Sequence, residues 1–422
     1  MRILLITHEY PPCARIGAYR WEAMTKYLRR SGHTVTIVTS DLFGVLTPES
    51  APDTLYTRDL GRAGAVRSAI GLANNSSSEE VFVSGRLTRP IPPDKSLVTW
   101  VPSALLATRK LLGKREFDVI VTNSPPEASA LIPLLLGRRR PAWLADFRDA
   151  WILDGYRPPF PTRLHTSVDR RLERAVMKRA DVVTVAQRLN RDDLLDRHGI
   201  EARYINNGWD PELELPAEPG QPDPDPKAPF RLVHTGTLHG FWGRSPRPLI
   251  EALVVLGKRL PGLPDMLQIV LAGSPESQGL EMAEDAGVRD LFDYRGSLSR
   301  PESLALQRSS DALLLVTSDR LSWELPGKLS EYMGADRPVF AIAGDNEAAR
   351  VIDETSLGIS VDPADPVGIA DALERVLKAG EVPGFAPTGV ERFRYPGPAE
   401  QMEAALLEAI DRRQITTNER GR

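Results

Sequence analysis

The chain has 422 residues, a formal net charge of −4, 41% hydrophobic residues and 26% charged residues. This length exceeds what one hydrophobic core usually supports, so we expect a globular protein of two domains. The net charge argues against a nucleic-acid partner, and the single cysteine, Cys13, excludes both an intrachain disulfide framework and a cysteine-based zinc site.

The opening residues predict the start of a doubly wound α/β domain. Ile3–Ile6 is a continuous apolar run, which is typical of a strand buried on both faces of a parallel sheet. A helix with Trp21 and Met24 on its apolar face follows, and Val35–Thr39 is the next predicted strand. Residues 41–100 show no clear periodicity, so no structure is predicted for them. Further strands are predicted at Val119–Thr122, Ala142–Ala145, Val182–Ala186 and Tyr204–Ile205.

A proline-rich segment divides the chain. Leu215–Pro229 contains six prolines, which predicts an extended, semi-rigid linker between two domains. The Asn-Gly turn within Asn207–Asp210 precedes this linker and is interpreted as a hinge. The last helix is predicted near Ala399–Arg412, followed by a disordered tail over Gln414–Arg422. The elements predicted between linker and last helix are the strands Phe230–His234, Leu267–Leu271, Phe292–Arg295, Ala312–Val316 and Val339–Ile342 and a helix over Pro248–Arg259.

One segment of the second domain combines a helix start with a cation and a carboxylate. Pro326 suits the first helical position, and Gly327 lets the backbone approach a ligand closely. Lys328 lies in the first turn, where the helix dipole disfavours a positive charge unless an anion also binds the free N–H groups. Glu331 shares a face with Lys328 and offers acceptors to a vicinal diol such as a ribose. Phosphate and ribose together predict a nucleotide site, and an ordinary exposed ion pair is the alternative.

A glycine-containing loop predicts a second phosphate contact in this domain. Thr235-Gly236-Thr237 follows the domain's first strand, where backbone N–H groups can bind a phosphate. Arg244 and Arg247 follow and could add charge-assisted hydrogen bonds, or form a solvated turn. Of the two arginines, Arg244 is the better candidate.

Two candidate segments of the first domain lie at the carboxyl ends of predicted strands, where doubly wound folds bind ligands. The loop after the first strand contains Arg15 and Gly17. Asp146, Arg148 and Asp149 follow the strand that begins at Ala142. Either aspartate could accept hydrogen bonds from ligand hydroxyls or take a proton from one, and the choice between them stays open. A simple ion pair between Arg148 and Asp149 is the alternative.

The run Pro-Gly-Lys328-Leu-Ser-Glu331-Tyr, with Pro338-Val339 at the next strand, resembles the donor-site motif of family-4 retaining glycosyltransferases. The run Asp146-Phe-Arg-Asp-Ala-Trp151 resembles that of a sub-group of the family. The resemblance implies the GT-B fold, with two Rossmann-like β/α/β domains facing a central cleft and a C-terminal helix that crosses back to the first domain. The implied parts are an acceptor-binding domain (1–214), the linker (215–229), a nucleotide-sugar-binding domain (230–395), and a crossover helix with its tail (396–422).

The family's residue roles carry over to matching positions. Lys328, the Gly236 loop and Arg244 are then expected to hold the donor diphosphate, and Glu331 the ribose. Six residues separate Glu324, the implied sugar contact, from Glu331, one fewer than in the family. The expected donor-binding residues are Gly17, Gly236, Thr237, Arg244, Glu324, Leu325, Pro326, Gly327, Lys328 and Glu331. The expected catalytic residues are Lys328, Arg244, Asp146 and Asp149, and the acceptor-binding residues are Arg15 and Arg148.

The resemblance implies a retaining, metal-independent hexosyltransferase without a resident cofactor. Its donor would be a nucleoside-diphosphate sugar, taken to be UDP-linked, and its acceptor a hydroxyl of a small molecule, natural product, envelope glycan or lipid-linked compound. The lone cysteine fits a reducing compartment, so a cytoplasmic location is expected. A nucleotide-sugar epimerase of the same fold and a non-catalytic nucleotide-sugar-binding protein are the alternatives.

Basic residues crowd one predicted helix and the segment before a strand. They are Arg170, Arg171, Arg174, Lys178 and Arg179 on the helix, and Arg138–Arg140. Such residues permit weak peripheral association with a membrane, as some members of the family show. A solvated helix face is the interpretation that we favour, because the helix lacks an aromatic apolar face for insertion.

Overall fold

The computed structural model describes residues 1–13, 15–61, 91–152, 159–212, 228–236, 238, 244–273, 277–317 and 325–421. These residues form two compact units, and the first is discontinuous in sequence. Unit 1 comprises Met1–Asn207 and Tyr395–Arg422, and unit 2 comprises Gly208–Arg394. The boundary therefore falls inside the Asn-Gly turn, and residues 215–227 of the predicted linker lie outside the described residues.

Unit 1 is built on a parallel sheet of seven strands in the order β3-β2-β1-β4-β5-β6-β7. The strands are β1 (Arg2–Ile6), β2 (Thr34–Ser40), β3 (Thr54–Thr57), β4 (Val119–Ser124), β5 (Ala142–Phe147), β6 (Val182–Val185) and β7 (Arg203–Tyr204). The helices are α1 (Ile16–Arg30), α2 (Ser96–Thr99), α3 (Val101–Leu112), α4 (Leu131–Leu136), α5 (Arg163–Arg179) and α6 (Arg188–His198).

Alternate residues of the central strands bury on opposite faces of this sheet, as expected for a strand covered on both sides. Ile3 and Leu5 pack in one core with α1, and Leu4 and Ile6 pack in the other. The C-terminal helix, which becomes α14 (Gly397–Gly421), covers the same face as α1 through Met402 and Leu406. Unit 1 therefore needs both ends of the chain to complete its core.

Unit 2 is built on a second parallel sheet, of six strands in the order β10-β9-β8-β11-β12-β13. The strands are β8 (Phe230–Thr235), β9 (Leu267–Ala272), β10 (Phe292–Tyr294), β11 (Ala312–Val316), β12 (Val339–Ile342) and β13 (Gly358–Val361). The helices are α7 (Arg247–Arg259), α8 (Leu263–Met266), α9 (Ser277–Asp285), α10 (Arg300–Arg308), α11 (Gly327–Ala335), α12 (Glu347–Glu354) and α13 (Pro366–Ala379). This order is that of the dinucleotide-binding fold.

The two ends of unit 2 meet at one place. The backbone N–H of Trp209 donates to the Phe393 carbonyl at 2.9 Å, and Trp209 pairs with Arg394 in a parallel bridge. The Trp209 ring also leaves no room for a side chain at Gly334, where a Cβ would lie 2.9 Å from it. The chain thus enters and leaves unit 2 through adjacent residues.

The predicted strands and the helix near Pro248–Arg259 are confirmed, with ends that differ by at most two residues. Two strands, β3 and β13, were not predicted. Helix α2 lies in the region 41–100 that was left without prediction, and α3 begins directly after that region. The last helix continues through Gly421, so the prediction of a disordered tail is wrong for residues 414–421, and Arg422 lies outside the described residues. Residues 62–90 lie outside the described part of the chain.

Candidate functional site

Each sheet has one switch point, where connections leave in opposite directions from two neighbouring strands. In unit 1 it lies between β1 and β4, and in unit 2 between β8 and β11. Ligands of doubly wound folds bind at the carboxyl ends of the strands beside such a point. The loops that follow β1, β4, β8 and β11 are therefore the expected ligand-binding loops, and the loop after β5 follows the strand next to β4.

In unit 2 the loop after β8 and the start of α11 bring Gly236 and Lys328 into contact. A Cβ on Gly236 would lie 2.0 Å from Lys328 Nζ and 2.3 Å from Cε, so the end of the lysine side chain occupies the space that a side chain at position 236 would take. Gly236 also has φ of +121°, a conformation that other residues rarely adopt. Its N–H donates to the Ala272 carbonyl at 2.5 Å, and a Cβ on Gly273 would lie 2.2 Å from its carbonyl oxygen. The backbone at the end of β8 is thus held against the lysine.

The surroundings of Lys328 disfavour its positive charge. Burial lowers the pKa of Lys328, the Glu331 carboxylate opposes that shift, and the Arg244 guanidinium adds to it. Lys328 is half-buried in the first turn of α11, where the helix dipole also disfavours a cation. An anion bound beside Lys328, Arg244 and the helix N-terminus would relieve all of these penalties.

The helix that carries Lys328 is anchored by the tyrosine one turn later. The Tyr332 hydroxyl donates to the Leu314 carbonyl at 3.1 Å and accepts from the Thr235 N–H at 3.4 Å. These bonds tie α11 to both β11 and β8. Pro326 precedes the helix with ψ of 133°, so the first helical residue is Gly327 and not Pro326 as predicted. Leu325 is buried in the core below.

His234 is a site neighbour that sequence reasoning did not single out. Its Nδ1 lies 2.9 Å from the Leu314 carbonyl, which can only accept, so Nδ1 carries a proton. Burial, and then the charges of Lys328 and Arg244, lower the pKa of His234 to about 3. The imidazole is therefore neutral, and the positive charge at the end of β8 belongs to the lysine and the arginine. A histidine inside a predicted buried strand was the available signal.

The other predicted donor residues of unit 2 differ in placement. Glu331 is half-buried beside Arg300, with 4.0 Å between the charged groups. Arg247 opens α7, is exposed and faces Glu251 at 4.0 Å, whereas Arg244 is close enough to affect the pKa of Lys328. Thr237 and Glu324 lie outside the described residues.

In unit 1 the two predicted arginines, Arg15 and Arg148, contact the buried carboxylate of Glu9. Glu9 lies in the loop after β1, where Arg15 Nη1 contacts its Oε1 at 3.0 Å and Arg148 Nη1 contacts its Oε2 at 3.2 Å. Burial acts to raise the pKa of Glu9, but Arg148 and Arg15 outweigh it and the net shift is downward. Arg148 also contacts Asp149 at 3.4 Å. A Cβ on Gly17 would lie 1.8 Å from Arg148 Nη1, so this glycine makes room for the guanidinium.

Glu9 is thus a second residue that sequence reasoning missed, although it lies in the loop that was singled out. Its role depends on two arginines that are far apart in sequence. The structure brings Arg15, Gly17, Arg148 and Asp149 together around it, because the loops that follow β1 and β5 lie at the same end of the parallel sheet.

Asp146 does not join this group. It is fully buried, and its two oxygens accept from Arg20 at 3.2 and 3.3 Å, from Trp21 Nε1 at 3.1 Å and from the Thr184 hydroxyl at 2.7 Å. Arg20 also donates to the carbonyls of residues 205 and 206 near the end of unit 1. A carboxylate so enclosed has no oxygen left for a sugar hydroxyl, which does not fit the expectation that Asp146 contacts substrate.

The described residues contain no group of three or more histidine, cysteine or acidic side chains that could hold a metal ion. Their helices include none with the length and apolar character needed to cross a bilayer.

Two family models match the chain, one to each unit. Residues 17–208 match a glycosyl transferase 4-like domain, and residues 230–379 match glycosyl transferases group 1. Together they cover most of the chain.

Individual relatives agree with these matches. The chain is 29% identical over 251 residues to a D-inositol 3-phosphate glycosyltransferase of Salinispora tropica, covering 56% of this chain and 50% of the relative. The chain thus spans about half the length of this curated relative.

Solved structures share the fold at low sequence identity. Sucrose-phosphate synthase from Thermosynechococcus elongatus superposes with a TM-score of 0.61 at 18% identity, covering 100% of this chain and 98% of that one. UDP-GlcNAc 2-epimerase from Methanocaldococcus jannaschii gives a TM-score of 0.53 at 12% identity, covering 96% and 99%. These structures, the two parallel sheets and the helix that returns to unit 1 show the GT-B fold. The two family models, which together cover most of the chain, show that it belongs to the family-4 (group 1) glycosyltransferases.

Proposed function

We propose that the protein transfers a hexose from a nucleoside-diphosphate sugar, taken to be UDP-linked, to an acceptor hydroxyl with retention of configuration. The observation that carries this proposal is the contact between Gly236 and Lys328 at the switch point of unit 2. A lysine packed onto bare backbone, beside a second cation and a helix N-terminus, is arranged to bind a diphosphate.

The chemistry asked of unit 2 is stabilisation of a leaving group. As the bond between the sugar carbon and the diphosphate oxygen breaks, negative charge grows on the diphosphate. Lys328 and Arg244 are fixed beside that charge and gain interaction energy as it develops. Glu331, on the same face of α11 as Lys328, would accept hydrogen bonds from the ribose. The proposal needs no metal ion, because Lys328, Arg244 and the helix N-terminus can stabilise the negative charge of the diphosphate.

Unit 1 would supply the acceptor site. Arg15 and Arg148, oriented by Glu9, can form charge-assisted hydrogen bonds to an acceptor, and Asp149 is placed to accept from a hydroxyl of sugar or acceptor. The S. tropica relative is named for a phosphorylated polyol acceptor, which supports an acceptor of this class here. Comparing a polyol with its phosphate ester as acceptors tests this: equal kcat/KM for the two would contradict a role for the arginines in binding phosphate.

The central test is Lys328→Ala. We expect turnover of a nucleotide-sugar to fall by about a hundredfold or more, because an oriented cation at the leaving group is lost. The matched control is Lys378→Ala, an exposed lysine of the same unit that pairs with Glu374. Circular dichroism and thermal melting establish that both variants fold. Near-normal turnover by folded Lys328→Ala protein would overturn the assignment.

A second candidate function is favoured by one observation, namely the fold shared with the epimerase. An epimerase converts its nucleotide-sugar without an acceptor. Incubation with donor alone, followed by chromatography of the nucleotides, therefore separates the two functions. A new nucleotide-sugar would favour epimerisation, and no change until an acceptor is added would favour transfer.

The third alternative, binding without catalysis, is tested by ligand stabilisation. Thermal shifts with UDP, GDP, dTDP and ADP should single out one base, since stabilisation grows with ligand excess over the dissociation constant. Clear stabilisation without turnover of any sugar derivative of that nucleotide would favour a binding protein.

A further inference from the structure

A second site with concentrated positive charge lies in unit 1, away from the loops described above. It is a groove of about 610 Å³ between the segment that precedes β5, the end of α5 and the last turns of α14. Because these segments come before β5 and β6, the groove lies at the amino ends of the strands. The loops that carry Glu9, Arg148 and Asp149 follow the carboxyl ends. The groove and the candidate acceptor site therefore lie at opposite ends of the strands of the same sheet.

Cations make up nearly half of the residues that line the groove. They are Arg138, Arg140, Lys178, Arg179, Arg412 and Arg413, and among the described lining residues the only carboxylate is Asp181. That carboxylate is already engaged, because Asp181 accepts from Arg140 at 2.8 Å and from the Trp143 N–H at 2.8 Å. Within the described residues, no carboxylate forms an ion pair with Arg138, Lys178, Arg179 or Arg413. The groove is thus left with several uncompensated positive charges.

These charges act on one another. Burial lowers the pKa of Arg140, its partner Asp181 opposes that shift, and the neighbouring charges of Arg413 and Arg179 lower it further. Like charges gathered in a concave surface raise the local potential and favour an anion there.

Three of these arginines, Arg140, Arg412 and Arg413, are also held in position before any ligand arrives. Arg413 donates to the carbonyls of Arg138 and Arg140, the latter at 3.2 Å. Arg140 donates to the Arg179 carbonyl at 2.5 Å, and Arg412 donates to the Asp181 carbonyl at 3.4 Å. Side chains fixed in this way lose little conformational entropy when they bind an anion.

The helix dipole explains only part of this cluster. Lys178 and Arg179 lie in the last turn of α5, where cations are favourable in any protein. Arg138 and Arg413 belong to other segments and gain nothing from that dipole. Their convergence on the same groove needs another explanation.

We propose that this groove binds a compact phosphate-bearing anion with several charges, such as a pyrophosphate group. Its volume is within the range of small-molecule sites, and its concave shape suits an enclosed ligand better than a flat membrane surface. A bound anion would link α14 to α5 and to the start of β5, and so would stabilise unit 1.

The test uses the full chain carrying Lys328→Ala, so that nucleotide-site binding of phosphate is weakened. Isothermal titration calorimetry with inorganic pyrophosphate should then show one site whose affinity falls as salt is added. Adding Arg138→Gln and Lys178→Gln should weaken that binding by about tenfold or more, since two charge-assisted contacts are lost. Neither side chain forms a hydrogen bond or ion pair with the described residues, so folding is not expected to suffer.

The matched control removes two exposed lysines, one on α3 and one directly after it, through Lys110→Gln and Lys114→Gln, and should leave the affinity unchanged. No binding to the Lys328→Ala chain would overturn the proposal, as would equal weakening by the control pair. Co-sedimentation with phosphatidylglycerol vesicles is run in parallel. Vesicle binding that needs Arg138 and Lys178, without pyrophosphate binding, would also overturn it in favour of a membrane contact. None of these outcomes depends on sugar transfer, so failure here and failure of the proposed function are distinguishable.

Discussion

Asp146 and Asp149 lie three positions apart in sequence but in different physical settings. Asp146 lies within β5, with four donors around its carboxylate and none of its surface exposed. Asp149 keeps about a third of its side chain exposed, with 35% accessible to solvent, beside Arg148. One aspartate is therefore suited to holding α1 on the sheet, and the other to meeting a ligand.

Replacing each aspartate by asparagine separates these roles. Asp146→Asn leaves the buried Arg20 charge without its partner and should lower the free energy of unfolding by about 3 kcal/mol. Asp149→Asn should leave stability within about 0.5 kcal/mol of wild type and reduce sugar transfer instead. Urea denaturation and initial rates on both variants provide the measurement. The reverse pattern, with an inactive but stable Asp146→Asn protein, would return Asp146 to the substrate site.

His234 makes the stability of unit 2 sensitive to acid. Its pKa is lowered to about 3 in the folded protein, against about 6.5 in an unfolded chain. Between these values the unfolded chain binds a proton that the folded one does not, so stability is lost as pH falls below about 6.5.

His234→Gln should remove this dependence, because glutamine can still donate to the Leu314 carbonyl but does not titrate. On going from pH 7.5 to pH 5.0, wild type should lose about 2 kcal/mol more of unfolding free energy than the variant. Urea denaturation at the two pH values measures the difference. Parallel pH profiles would mean that His234 does not resist protonation in the folded state.

At the scale of elements, the C-terminal helix α14 completes the hydrophobic core that β1 and α1 begin. It packs against α1 and the sheet of unit 1, and Tyr395 just before it stacks on Tyr27 with 5.5 Å between ring centroids. Arg203 and Glu408 form a bidentate pair at 3.0 Å at the surface. The buried apolar face carries most of the stabilisation, since exposed pairs contribute little.

Two adjacent leucines in α14 test this directly. Leu406 is fully buried, whereas Leu407 is 48% exposed. Leu406→Ala should cost about 3 kcal/mol through lost burial and the cavity left behind, and Leu407→Ala less than about 1 kcal/mol. Thermal or urea unfolding of the two variants gives the comparison. Similar losses for both would show that α14 does not pack on unit 1 as described.

Sequence reasoning succeeded where an element is buried on both faces. Continuous apolar runs such as Ile3–Ile6 and Ala312–Val316 identify central strands without reference to anything distant. The strands it missed, β3 and β13, are the last strands at their sheet edges, and each is only four residues long and largely half-exposed. Their apolar signal is weak because only one neighbouring strand and part of one face bury them.

The residues of the candidate site also differ in how far sequence reasoning could predict them. Lys328 and Glu331 are close in sequence, so their shared helix face could be predicted from spacing alone. The Glu9 cluster depends on Arg148, which is 139 positions away, and only the tertiary fold brings the two together. The disordered tail was predicted from polar composition, but α14 runs through that region to Gly421.

At the scale of the whole molecule, the two units differ in how they are encoded. Unit 2 is one continuous stretch with its own core on both faces of its sheet, whereas unit 1 needs residues from both ends of the chain. Independent folding is therefore expected of unit 2 and not of the N-terminal stretch alone.

We expect residues 208–394 expressed alone to unfold cooperatively and to be stabilised by the nucleoside diphosphate that the full chain prefers. Residues 1–207 alone should fail to fold, because removal of α14 exposes the core face around Trp21 and Met24. Heteronuclear NMR spectra and thermal melts of the two fragments check this. A well-folded 1–207 fragment would show that α14 is dispensable.

The pairing of Trp209 with Phe393 and Arg394 has a consequence for how such chains can change over time. Because unit 2 starts and finishes at neighbouring residues, it has the character of an insert between β7 and α14. Two recombination events, one near each of these residues, would replace it as a cassette without disturbing any contact within unit 1. Insertions or deletions in the loops of unit 2 would likewise leave unchanged the short distance between the points where the chain leaves unit 1 and returns to it. If the proposed roles hold, donor preference and acceptor preference are then inherited as separable parts of one polypeptide.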